Sequence, residues 1–104
     1  MATVEIDSGI CGFVTTVRTT AQGATMKVAI ESDCEHIQKL AAALTEVEPW
    51  GEISFRGEGP LTLRLAAEHC AHAACPVPVG IIKAIEVEAG LALPKDVAIR
   101  VSRD

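Results

Sequence analysis

At 104 residues the chain is long enough for one domain with a modest core, and dividing it would leave neither half well buried. A single domain over residues 1–104 is therefore expected. The net charge of −5, from nine Lys plus Arg against fourteen Asp plus Glu, comes with no basic stripe or aromatic stacking platform. That argues against nucleic-acid binding and leaves solubility as the main consequence of the charge.

Apolar residues make up 49% of the chain, mostly aliphatic, with one Trp, two Phe and no Tyr. This palette suits a compact α/β or α+β protein and not a disordered chain. No stretch approaches the roughly 20 apolar residues of a membrane span. The opening MATVEIDSGI lacks a basic region followed by an apolar one, so no signal peptide is expected. The chain reads as cytoplasmic, where thiols stay reduced. Its four cysteines then read as metal ligands, redox thiols or small buried hydrophobes, with disulfides ranked last.

Residues 2–7 alternate Val4 and Ile6 with Thr3, Glu5 and Asp7, the pattern of a half-buried strand. The Gly-flanked Ser8–Gly12 segment breaks it around Cys11. The turn glycines allow backbone N–H groups to approach a sulfur or an anion closely, although a plain turn accounts for them equally well. Residues 13–19 and 24–31 are rich in β-branched side chains, and a short Gly-ended connection predicts an antiparallel hairpin. Ser32 and Glu35 have capping-box spacing. Ile37, Leu40, Ala41, Leu44 and Val47 then recur at helical intervals, predicting a helix over about 34–46 with Cys34 in its first turn.

Glu48–Gly51 ends that helix, and residues 53–56 have the pattern of a short strand. Residues 60–74 fit a strand or a helix. Pro60 suits a first helical position and the alanines favour helix, which places His69 and His72 on one face. Prolines 76 and 78 are tolerated only in a first turn, so the next helix spans 77–89, with Gly90 at C′. Its Ile81, Ile82, Ile85 and Val87 make it apolar on more than one face. It is therefore either deeply buried or a contact surface for a second copy or another protein. Val97, Ile99 and Val101 alternate as a last strand.

This order predicts an α+β fold: a mostly antiparallel sheet of three to five strands with about three helices packed on one face. Each cysteine falls at an element boundary, where thiols from distant parts of a chain can meet at one end of a sheet. Cys11, Cys34, Cys70 and Cys75 are thus candidate ligands for zinc or an iron–sulfur cluster, with His69 or His72 as a further ligand or base. No Cys-x2-Cys knuckle is present. On a continuous helix Cys70 and Cys75 would point about 140° apart, but the prolines break the chain and free Cys75 to turn back.

The second reading is a redox thiol or Cys-dependent enzyme centred on Cys75 or Cys34, both at helix starts that favour thiolate. His72 or His69 would be the base for Cys75. The third is a metal-free interaction or accessory subunit. His36 reads as a solvated residue.

The segment SGICGF resembles the Gly/Cys-rich turn of A-type iron–sulfur carrier proteins, whose C-terminal Cys-Gly-Cys is absent here. Taken together, SGICGF, ESDCE and CPVPVGIIKAIEVEAGLALPKDV resemble a small prokaryotic family with no assigned function. The resemblance implies that these cysteine-centred segments belong together.

Overall fold

The β-branched alternation of the N-terminal third folds as the sequence predicts. A computed structural model describes residues 1–104. Strand β1 (Ala2–Asp7) pairs antiparallel with β2 (Val14–Gln22), and β2 with β3 (Thr25–Glu31). The β2–β3 hairpin is closed by Gly23 at φ 64°, a left-handed conformation that glycine adopts without a Cβ penalty. The two-residue strand β4 (Glu46–Val47) completes a four-stranded sheet in the order β1-β2-β3-β4.

Register puts one inward row of side chains on each level of the sheet. Val4 lies beside Val17 and Val17 beside Ile30, while Ile6 faces Thr15. Met26 pairs with Val47. Of three helices, α1 (Glu35–Ala43) and α3 (Val77–Glu88) cover this face, and α2 (Leu61–His69) packs against both of them. The fold class is α+β, as expected.

Among the helices, α3 is the main partner of β1 and β2. Its Val77, Ile81, Ala84 and Ile85 are fully buried in one core with Val17, Met26, Leu40 and Leu44. The apolar face of α3 thus fills the chain's own core. Two inward threonines satisfy their hydroxyls locally. Thr19 donates to the Ala84 carbonyl at 2.9 Å, tying sheet to helix, and Thr15 donates to Ser32 Oγ at 2.9 Å. At the end of α3, Gly90 has φ 75°, and Leu91 N–H donates to the Glu86 carbonyl at 2.9 Å, the Schellman arrangement.

Several expectations are corrected. Helix α1 stops at Ala43, and Val47 leaves the helical stripe because its pairing with β3 buries it in the sheet. The Ser32/Glu35 capping box does not form. Cys34 is the N-cap residue, and Ser32 Oγ instead accepts from Cys34 N–H at 3.2 Å. Residues 53–56 form bends, not a strand. Helix α2 ends at His69, so residues 70–74 are not helical and His72 shares no helix face with His69.

The largest difference is at the C-terminus. Residues 93–104 have no regular secondary structure and are all exposed, so the closing strand has no neighbour in the sheet. No helix is long and apolar enough to cross a membrane.

Candidate functional site

Chain direction brings the cysteine-bearing boundaries to one end of the sheet. β1 ends at Asp7 opposite Val14, and β3 ends at Glu31 opposite Thr16, so Cys11 and Cys34 leave the sheet at the same end. Helix α3 begins there too, because Gly80 in its first turns lies against Ile6 and Val4. Cys75, just ahead of α3, therefore joins this end.

Cys34 caps α1 with an extended backbone (φ −75°, ψ 122°), and its carbonyl accepts from Gln38 N–H at 2.9 Å. Cys70 is the first residue past α2; its N–H still donates to the Ala66 carbonyl at 2.8 Å, but ψ of 129° turns the chain out of the helix. An exposed loop of Ala71–Ala74 leads to Cys75, whose N–H donates to the His72 carbonyl at 3.3 Å.

Three of the four cysteines pack against one core. Cys34, Cys70 and Cys75 are all partly buried against the same core. Burial first, then the sulfurs of Cys75 and Cys34, push the Cys70 thiol above its ordinary pKa. These residues come from two connections, Cys34 from β3–α1 and Cys70 with Cys75 from α2–α3, so tertiary packing sets Cys34 against the other two.

Cys11 does not join. It sits exposed in a 3-10 turn (Gly9–Cys11) whose flanking glycines, Gly9 and Gly12, both have φ 77°. His69 faces the Glu68 carboxylate at 3.7 Å, and His72 is exposed in the loop. No three His, Cys, Asp or Glu side chains stand as a ready-made cage for a metal ion. The four cysteines are free thiols.

The position of Cys70 depends on a residue that sequence reasoning missed. Glu52 is only 4% exposed, and its carboxylate caps α2 from outside the helix. It accepts from Leu61 N–H at 2.9 Å, Thr62 N–H at 2.8 Å and Thr62 Oγ1 at 2.6 Å. A buried carboxylate is tolerable there because it meets orphan N–H groups at the positive end of a helix dipole. The nine-residue separation from Leu61 hides this cap from local pattern reading.

Two open surface depressions have no cysteine in their linings. One, about 520 Å³ and wide open, is lined by Thr16, Glu31, Ser32, Asp33 and their neighbours. The other lies among Glu48, Glu52, Arg56 and Arg64.

The model of DUF6951, a family of unknown function, matches residues 2–101. The chain belongs to this family. The match includes all four cysteines and runs through the exposed C-terminal segment to Val101. No curated protein and no solved structure matches the chain.

Proposed function

We propose that this DUF6951 domain takes up a thiophilic metal ion, zinc or iron, on Cys34, Cys70 and Cys75. What supports the reading is that Cys34, Cys70 and Cys75, from the β3–α1 and α2–α3 connections, pack against one core, with Cys34 capping α1 and Cys75 just ahead of α3. Ordinary packing needs no such grouping, and clustered thiolates repel one another unless a cation sits among them. Turning the thiols toward a common centre costs about 0.5–1.5 kcal/mol for each off-rotamer side chain. Structural zinc sites supply roughly 10–16 kcal/mol, so the binding energy outweighs that cost. Three thiolates leave one tetrahedral position for water or another donor. Cys11, exposed at the same end of the sheet, stays outside the three-thiol zinc site and would be a fourth ligand only for an iron–sulfur cluster. Four free cysteines suit a reducing compartment such as the cytoplasm.

Zinc titration of the reduced protein, followed by thiol counting, tests this reading. One equivalent is expected to protect Cys34, Cys70 and Cys75 from a thiol reagent while Cys11 stays reactive. Ser at position 34, 70 or 75 is expected to weaken zinc binding by more than the roughly 10–100-fold that outer-shell changes cost. Cys11→Ser leaves the affinity of the three-thiol site unchanged. Four thiols that react equally with and without zinc would sink the proposal.

Cys70 and Cys75, five residues apart in one connection and packed against the same core, favour a second reading, a reversible dithiol. Two-electron oxidation would join these two sulfurs and release two protons to solvent, with a disulfide or quinone as electron acceptor. A protein that takes no metal but forms this one disulfide in a glutathione redox titration would decide for it.

A further inference from the structure

Residues 93–104 form an exposed arm whose pattern is that of a strand without a sheet. Val97, Ile99 and Val101 alternate with Ala98, Arg100 and Ser102, yet they are 63%, 79% and 90% exposed. A solvated chain gains nothing from such a pattern; a sheet edge gains both ladder hydrogen bonds and a sorted pair of faces. The same molecule has a six-residue strand, β1, at one end of its sheet with no neighbour on its outer side. The other end, β4, is only two residues long.

The arm leaves its own body close to the start of β1. Helix α3 runs against β1, from Gly80 beside Ile6 to Glu88, whose carboxylate meets Met1 at 3.2 Å and Ala21 N–H at 2.8 Å. A strand returning from there along its own β1 would have to run parallel to it, and no such pairing exists. A second copy of the chain removes that restriction and permits antiparallel pairing, the more stable ladder per residue.

We infer that the arm of each protomer adds as an antiparallel fifth strand to the free edge of β1 in a second copy, giving a two-fold arm-exchanged dimer. The register is set by chemistry on both faces. With Val101 opposite Val4 and Ile99 opposite Ile6, the apolar arm residues extend the helix-covered face, where Ile6 is already buried. The same register puts Arg100 opposite Glu5 and Ala98 opposite Asp7 on the exposed face, so the only cation in the central run meets an acidic strand. Reciprocal exchange buries both arms and leaves neither β1 edge open, which closes the assembly at two copies. The family match running to Val101 includes the whole apolar triplet of the arm.

Sedimentation across a concentration range, with hydrogen exchange on the same samples, tests the dimer. The full chain is expected at twice 10.9 kDa, with amides of 97–101 and of β1 protected. Ile99→Asp, at a position that contributes nothing to its own protomer's core, is expected to yield folded monomer with a freely exchanging arm. Arg100→Glu is expected to raise the dimer dissociation constant at least about tenfold, and Glu5→Arg combined with it to restore dimer formation. A wild-type monomer at every concentration would overturn the inference, whether its arm exchanges freely or is protected by its own β1. So would a dimer that survives Ile99→Asp unchanged.

Discussion

Glu52 shows how a single side chain sets the frame for the thiol site. Its carboxylate satisfies three donors at the start of α2, the helix whose last turn delivers Cys70 to Cys75. Pro60, the residue in the N-cap position, offers no side-chain acceptor, so without Glu52 the Leu61 and Thr62 amides lose their partners. Glu52→Ala is expected to cost about 1–3 kcal/mol, the penalty for buried donors left unsatisfied, measured by urea denaturation. Glu52→Gln keeps one amide oxygen as an acceptor and should cost less than Glu52→Ala. Equal stability in all three proteins would show that water caps the helix as well as Glu52 does. The same residue marks a limit of sequence reading. That each cysteine falls at an element boundary is legible in the chain, but which of them pack against the core depends on contacts such as the one that holds α2 from nine residues away.

At the scale of elements, local periodicity identified whatever is decided by neighbours along the chain: β1, the β2–β3 hairpin, and α3 between its prolines and Gly90. It failed where a distant partner decides. Val47 fits the α1 stripe as well as any residue in it, yet pairing with Met26 makes it a strand. The segment 53–56 alternates without finding a strand to pair with. Gly80 is a case where two local rules oppose each other. Glycine inside a helix costs about 1 kcal/mol relative to alanine, so Gly80→Ala should strengthen α3. A Cβ at that position, however, would overlap the Ile6 side chain and touch Val4 at 3.7 Å. Overpacking of this kind costs about 1–3 kcal/mol, and here the strand below it is held by β2 on one side only. The expected result is a net loss of up to about 2 kcal/mol in chemical denaturation, with the larger Gly80→Val worse. A stabilised Gly80→Ala protein would mean that β1 yields easily, and would make α3 a poor platform for Cys75.

On the scale of the whole molecule, the two ends of α3 do different work. Its N-terminal end helps assemble the thiols, while its C-terminal end fastens helix to sheet through Glu88. The carboxylate accepts from Ala21 N–H at the end of β2 and pairs with the amino group of Met1 at 3.2 Å, ahead of β1. The Ala21 hydrogen bond, against a smaller opposing effect of burial, and then the Met1 amine hold the Glu88 pKa below its ordinary value. A depressed folded-state pKa means the unfolded chain takes up its proton first on acidification. The stabilisation is therefore complete above the ordinary glutamate pKa and is lost as pH falls through the lower folded value. Melting temperature should drop across that acid window, and Glu88→Gln, which can still accept from Ala21 but cannot ionise, should flatten the drop there. Parallel pH profiles for the two proteins would show that the contact does not link charge to folding. Because the thiol cluster lies at the opposite end of α3, metal-binding stoichiometry should be the same in Glu88→Gln as in the wild-type chain. Loss of binding in that variant would mean that the two ends of the helix are not independent.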